Sequence, residues 1–219
     1  MSVFVLGTDT EIGKTIGSAL LAARYRSEVP ELAYWKPVAS GSIEGRDVET
    51  VATLAGVETI DEAVLLREPL SPHLAARLEG ERIDPDRLIE QARDLMAQRP
   101  LLIEGIGGIH VPLTDEGDLF TDFAEALGLP AVVVARSTLG TINHTLLTLE
   151  VLRSRGIEVL GVLVSGPRNA ENVDAIHRFG VVPILGEAVP IDPLDRDGVE
   201  RLAATLDPEG RLCSHLSVR

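Results

Sequence analysis

The chain has 219 residues, 45% of them hydrophobic, enough to bury one sizeable core, and this length favours one domain over two. Its formal net charge of -14 argues against roles whose affinity rests on clustered Lys and Arg, so no nucleic-acid partner is expected. No apolar run approaches the roughly 18 residues of a spanning helix and no basic leader precedes the first strand, so a soluble cytoplasmic protein with no membrane partner is expected. The single cysteine, Cys213, cannot close an internal disulfide and reads as a plain thiol in a polar tail.

Val3 to Leu6 reads as an apolar strand, GTDTEIGKT at Gly7 to Thr15 as a loop, and Ile16 to Tyr25 as a helix of small and apolar residues. Strand, glycine-rich loop and helix in that order build a phosphate cradle, because successive loop N–H groups and the helix N-terminus make a positive concavity. Lys14 is then placed to reach the outer phosphates, and the Thr15 hydroxyl to coordinate magnesium. Five residues separate Gly7 from Gly13, one more than the common pattern. The longer loop carries Asp9, Thr10 and Glu11, whose acidic and hydroxyl groups point to contacts with something other than nucleotide.

Leu32 to Trp35 form a second strand that runs into KPVASGS, Lys36 to Ser42, where Pro37 and Gly41 end it. Side chains at the carboxyl ends of parallel strands surround the ligand crevice of an open α/β sheet, so Lys36 and Ser40 should face the crevice of the first loop. Of 20 basic residues only two, Lys14 and Lys36, are lysines. Both fall in these motifs, where a compact ammonium differs from a guanidinium fork. Lys36 is therefore a candidate electrophilic stabiliser.

Arg46 to Leu54 has helical spacing, and Asp47 at its start suits either a helix N-cap or a magnesium ligand. REPLSPH, ending at His73, is proline-rich and reads as a loop crossing the sheet's edge. A helix from Pro85 to Gln98 puts Leu88, Ala92 and Leu95 on one face. Leu101 to Ile103 form a third strand ending in EGIGG, Glu104 to Gly108, and a carboxylate there stands where a metal ligand would face Thr15. His110 reads as an ordinary loop histidine.

Phe120 to Leu127 is a predicted helix capped near Asp118, and Ala131 to Ala135 a buried strand. Gly140 or Thr141 starts a long amphipathic helix ending at Gly156, whose N-terminus is a second anion site. Val159 to Val164 and Val182 to Leu185 read as further strands, and Val199 to Leu206 as a closing helix before the tail. Strands alternating with helices imply an α/β fold: a P-loop NTPase-like, doubly wound, mainly parallel sheet with helices on both faces.

Taken together, GTDTEIGKT, KPVASGS, SPH at 71 to 73, EGIGG and LGTINHTLLT at 139 to 148 resemble the dethiobiotin synthetase family over most of the chain, in the family's order. The resemblance implies a reaction in which 7,8-diaminononanoate, carbon dioxide and ATP give dethiobiotin, ADP and phosphate with magnesium. One amine forms a carbamate, the carbamate takes the γ-phosphoryl group, and the second amine closes a cyclic urea. By resemblance Lys36, Lys14 and Thr10 are catalytic, and Thr15, Asp47 and Glu104 hold magnesium, which favours the ligand reading of Asp47. The nucleotide set is Asp9, Glu11, Ile12, Gly13, Lys14, Thr15, Ile16, Asp47, Glu104, Ser165, Gly186 and Pro190. The substrate set is Thr10, Glu11, Lys36, Ser40, Ser71 and Gly107, with Leu139, Gly140, Thr141 and Asn143 contributed by the second subunit of an implied homodimer.

Three departures stand out. Ser165 occupies a place where the family commonly has an Asn that reads adenine, GEAVPID at 186 to 192 differs from the usual run, and Ile106 replaces a small residue between glycines. The base preference is left open by the first two. Rival readings are another P-loop ligase or small-molecule kinase, and a nucleotide-switched regulatory ATPase. TDTE with KPVASGS supplies substrate contacts that a switch does not need, and the ending LCSHLSVR is too short and mixed for an amphipathic anchor.

Overall fold

A computed structural model describes residues 1–41 and 45–216; Ser42 of KPVASGS and the last three residues of LCSHLSVR lie outside the described residues. At the centre is β1 (Ser2–Gly7), buried along its whole length. It is followed by α1 (Lys14–Tyr25), β2 (Ala33–Trp35), β3 (Val38–Ala39), α2 (Asp47–Ala55), β4 (Glu58–Ile60), β5 (Val64–Leu65), α3 (Pro72–Glu79) and α4 (Pro85–Gln98). The second half contains β6 (Leu101–Glu104), α5 (Phe120–Leu127), β7 (Ala131–Arg136), α6 (Thr141–Ser154), β8 (Val159–Ser165), α7 (Ala170–Gly180), β9 (Ile184–Ala188), α8 (Arg196–Ala203) and α9 (Cys213–Leu216).

Seven strands form one parallel sheet in the order β4-β2-β6-β1-β7-β8-β9, and β3 pairs with β5 in a separate parallel ribbon. Alternate residues of each strand serve opposite layers, as a period of two requires. Phe4, Leu6, Val133 and Ala135 pack with Phe120, Phe123, Leu149 and Leu152, whereas Val3, Val5, Val132 and Val134 pack with Leu20, Leu21, Tyr25 and Val51. Strands covered on both faces must be apolar nearly throughout, which explains runs such as AVVVAR and VLGVLVS.

The order also fixes the crevice. From β1 the chain moves to β2 and β4, returns to insert β6 beside β1, and then crosses to β7 on the other side. That reversal beside β1 is the topological switch point where open α/β sheets bind ligands at the carboxyl ends of their strands. In the β2–β6 register Tyr34 lies opposite Leu102 and Trp35 opposite Ile103, so the next step sets Lys36 beside Glu104.

Several expectations are corrected. Pro72 and His73 do not end a loop; they begin α3, since a proline at the first helical position gives up an N–H that has no partner there in any case. Helix α5 is capped near Asp118 as expected, at Leu119, where the Asp122 carboxylate accepts the Leu119 N–H at 2.8 Å while Asp118 turns to Thr114. The last strand starts two residues later than expected, at Ile184. The closing helix spans Arg196–Ala203 because Asp195 caps it, accepting from the Gly198 N–H at 2.8 Å. The tail is less polar in its packing than in its composition, for Leu212 and Leu216 are fully buried.

Candidate active site

Helix α1 starts at a glycine with no side-chain cap, which leaves its first N–H groups aimed at the loop. Gly13 has φ 88°, and a Cβ there would lie 2.4 Å from Ser165 Oγ. The loop therefore needs glycine at this point both for its backbone and for the close approach of β8. Ser165 is brought against the phosphate loop by the same contact. Gly107, at φ 58°, brings the turn after β6 against the bulge: a Cβ there would lie 3.4 Å from Thr10 Oγ1.

Beneath this loop four charged side chains and one hydroxyl converge. Thr15 Oγ1 donates to Asp47 Oδ1 at 2.6 Å and lies 3.2 Å from Glu104 Oε1. Lys36 Nζ bridges the two carboxylates, bonding Asp47 Oδ2 and, at 3.1 Å, Glu104 Oε1. Lys14 Nζ rests on the Asp9 carbonyl oxygen at 2.8 Å. Lys14, Lys36 and Glu104 are all buried. Asp47 opens α2 at its first helical position, with Arg46 as N-cap, so its carboxylate faces Thr15 and Lys36 instead of capping the helix.

The two lysines sit in one cluster yet shift in opposite directions. Burial is the largest influence on both. For Lys14 it prevails and pushes the ammonium down to about 8, with Lys36 adding repulsion. For Lys36 the desolvation is outweighed by the Glu104 and Asp47 carboxylates in direct contact, and its value rises. Asp47 is held below the ordinary carboxylate range, its own desolvation outweighed by Lys36 and the Thr15 hydroxyl. Lys36 is thus a fixed cation near neutral pH, whereas Lys14 lacks a strong anionic partner of its own.

Two carboxylates and a hydroxyl at one locus form the hard oxygen set that magnesium takes alongside phosphate oxygens and water. That the Lys36 ammonium already bridges Asp47 and Glu104 marks the locus as one that accepts positive charge. The residues therefore fit the ion.

The remaining expected residues are placed around this cluster. Asp9, Thr10 and Glu11 line a cavity of about 600 Å³ together with Arg136 and Thr138. Ile12 is buried and Ile16 half-buried, both packed on the α1 side of the sheet. Ser40 is half-buried, and the adjoining Gly41 N–H donates to the Glu68 carbonyl at 3.2 Å, which ties this loop to the segment leading into Ser71. Ser71 Oγ lies 2.9 Å from His73 Nδ1. Gly186 lies inside β9 facing Leu206, and Pro190 follows that strand. Thr141 is buried, and its N–H is held by the Thr138 carbonyl at 3.2 Å. Leu139 is 99% exposed, and Gly140 and Asn143 are also exposed at the start of α6. His110 Nδ1 is occupied by Thr121 Oγ1 at 2.8 Å, outside the cluster. A second cleft, of about 540 Å³ between α7, β9 and 207–211, is lined by none of the cluster residues.

Three residues were missed by sequence reasoning. Ser18 and Tyr34 both donate to Glu104 Oε2, at 2.7 and 3.0 Å. Arg136 ends β7 and pairs with Asp9, while its Nε, like Thr8 Oγ1, is buried without a hydrogen-bond partner among the described residues. The strand-end rule that singled out Lys36 applies equally to Arg136; no sequence signal marked Ser18 or Tyr34.

A family profile described as an AAA domain matches residues 1–197. The ATP-dependent dethiobiotin synthetase BioD of Paramagnetospirillum magneticum is 52% identical over 190 residues, spanning 86% of this chain and 88% of that protein. This chain belongs to the dethiobiotin synthetase family. The dethiobiotin synthetase of Agrobacterium fabrum is 46% identical, over 85% of this chain and 87% of its own. Among solved structures, the MinC:MinD cell division complex of Aquifex aeolicus aligns with TM-score 0.61 at 10% identity, covering all of this chain and 97% of that one. A ParA family ATPase from Chlorobium tepidum aligns with TM-score 0.59 at 11% identity, over 98% and 95%. At such identities these likenesses establish the fold, a P-loop NTPase-like parallel sheet, and the dethiobiotin synthetases establish the family.

Proposed function

We propose that this protein closes the ureido ring of dethiobiotin from 7,8-diaminononanoate, carbon dioxide and ATP, with magnesium, in biotin biosynthesis. The observation that carries the reading is the convergence of Lys14, Lys36, Thr15, Asp47 and Glu104 at the switch point, beside a phosphate loop lengthened by acidic and hydroxyl residues. Phosphoryl transfer depends mainly on positioned charge, and two ammonium groups with the N–H groups at the start of α1 supply it. Magnesium, held by Thr15, Asp47 and Glu104, neutralises phosphate charge when bound.

Each residue then has a role. Lys14 leaves the Asp9 carbonyl to meet the outer phosphates. Lys36 faces the carbamate oxygen and the phosphoryl group as the carbamate O–P bond forms and ADP departs. Thr10, Glu11, Ser40, Ser71 and Gly107 orient the diamine so that its second nitrogen attacks the carbamoyl carbon and phosphate leaves. Ser165, Gly186 and Pro190 flank the base. A second copy of the chain completes the site, and the N-terminus of its α6, with Leu139 to Asn143, receives the substrate carboxylate. A leucine as exposed as Leu139 on a loop beside that terminus is consistent with burial against another subunit. No helix among the described residues is long and apolar enough to cross a membrane, and we assign the enzyme to the cytoplasm.

The test is direct. Protein incubated with 7,8-diaminononanoate, bicarbonate, magnesium and ATP should yield dethiobiotin by mass spectrometry. ATP turnover that is independent of the diamine, with no such product, would reject the reading in favour of another P-loop ATPase.

A further inference from the structure

The Glu104 carboxylate is held in an asymmetric way. It is 1% exposed, so its lone pairs have to be satisfied inside the protein. Its Oε2 accepts from two neutral hydroxyls, Ser18 Oγ at 2.7 Å and Tyr34 OH at 3.0 Å. Its Oε1 faces the chemistry, 3.1 Å from Lys36 Nζ and 3.2 Å from Thr15 Oγ1. The fold dictates the arrangement. Ser18 is one helical turn beyond Thr15 on α1, and Tyr34 on β2 precedes Lys36, just past the strand's end, by two residues, so each pair shares a face. One member of each pair meets the site-facing oxygen and the other meets the rear one.

We propose that Ser18 and Tyr34 are positioning residues that hold Glu104 to one-oxygen ligation and thereby select magnesium over calcium. The inference rests on the reading of Glu104 as a magnesium ligand. Magnesium demands near-ideal octahedral geometry, whereas calcium takes six to eight oxygens and readily accepts both oxygens of one carboxylate. With Oε2 occupied by two hydroxyls, Glu104 can offer only Oε1 unless one of those bonds is given up. Partners of this kind, behind a ligand, commonly change metal affinity by 10–100-fold when removed.

The test uses Tyr34→Phe, Ser18→Ala and the double variant of the full-length protein. Each is saturated with a non-hydrolysable ATP analogue and titrated calorimetrically with magnesium and, separately, with calcium. The double variant should bind magnesium about tenfold more weakly. Its calcium affinity should be unchanged or higher, so the ratio of the two shifts by about tenfold or more. A purely structural role would lower thermal stability and leave that ratio where it was, which would overturn the proposal. Equal weakening toward both ions would overturn it as well. Tyr34→Phe removes one oxygen and no packing atoms, so it keeps the question answerable if Ser18→Ala folds poorly. Glu104→Gln serves as the separate control: magnesium binding unchanged in that variant would remove Glu104 from the ligand set and with it the basis of the inference.

Discussion

Two parts of the crevice stand in contrast. Around Glu104, at the end of β6, every group is paired, and all but the half-buried Thr15 are buried: Thr15, Ser18, Tyr34 and Lys36 surround one carboxylate. Around the bulge of the phosphate loop, Thr10 and Glu11 are exposed, Asp9 is held by Arg136, and Thr8 and Arg136 each keep a buried polar atom with no partner among the described residues. The first region has its charges gathered and paired before any ligand arrives, as charge stabilisation requires, and the one movement asked of it is the transfer of the Lys36 ammonium from the carboxylates to the phosphoryl group. The second is unfinished. Its free hydrogen-bonding capacity suits a region that meets a substrate, since unmet polar groups are those a ligand can satisfy. Chemistry and recognition are thus divided between a paired floor and an open rim.

Changes to the floor should be the costliest. Lys36→Ala should lower turnover by about two to three orders of magnitude, the usual loss when a donor aimed at developing charge is removed, while nucleotide affinity stays within a few-fold. Equilibrium binding of an ATP analogue alongside steady-state rates separates the two. Lys14→Ala should weaken both, since its ammonium rests on a carbonyl oxygen and is available to the phosphates. Arg136→Ala, at the rim, should raise the KM for the diamine several-fold with a smaller change in kcat. An effect confined to kcat would place Arg136 in the floor and dissolve the contrast.

The smallest effect concerns protons. Burial holds Lys14 at about 8 in the ligand-free protein. Phosphate oxygens favour the ammonium and raise that value on binding. Below about pH 8 the lysine is charged in both states; above it the free protein has lost a proton that binding must restore. Nucleotide affinity should therefore fall as pH rises past 8, and calorimetry in buffers of differing ionisation heat should report more proton uptake at pH 9 than at pH 7.

Much of the floor was legible because its elements are buried on both faces. Apolar runs such as Val3 to Leu6 and Leu101 to Ile103 mark strands, and the residues just beyond them, Lys36 and Glu104, mark the crevice. The scarcity of lysine sharpened the choice. Ser18 and Tyr34 could not be read the same way, since their meaning depends on the parallel pairing of β2 with β6 and on which face of α1 meets it. The edge elements were least visible. β4 is a three-residue ETI, and α7 carries only Val173, Ile176 and Phe179 as large apolar groups after Asn169, too sparse a stripe to announce a helix. The tail helix α9 was hidden by its polar composition, although Asp207 anchors the segment by accepting the Arg211 and Leu212 N–H groups, each at 3.0 Å, and the Tyr25 hydroxyl.

The central claim is that Lys36 belongs to the moving phosphoryl group. A crystal structure with magnesium, a non-hydrolysable ATP analogue and 7,8-diaminononanoate tests it most directly. Lys36 Nζ should have swung from its carboxylate bridge to within about 3 Å of a γ-phosphoryl or carbamate oxygen, with Thr10 and Glu11 against the diamine. Lys36 still spanning Asp47 and Glu104, with the bulge remote from both ligands, would contradict it.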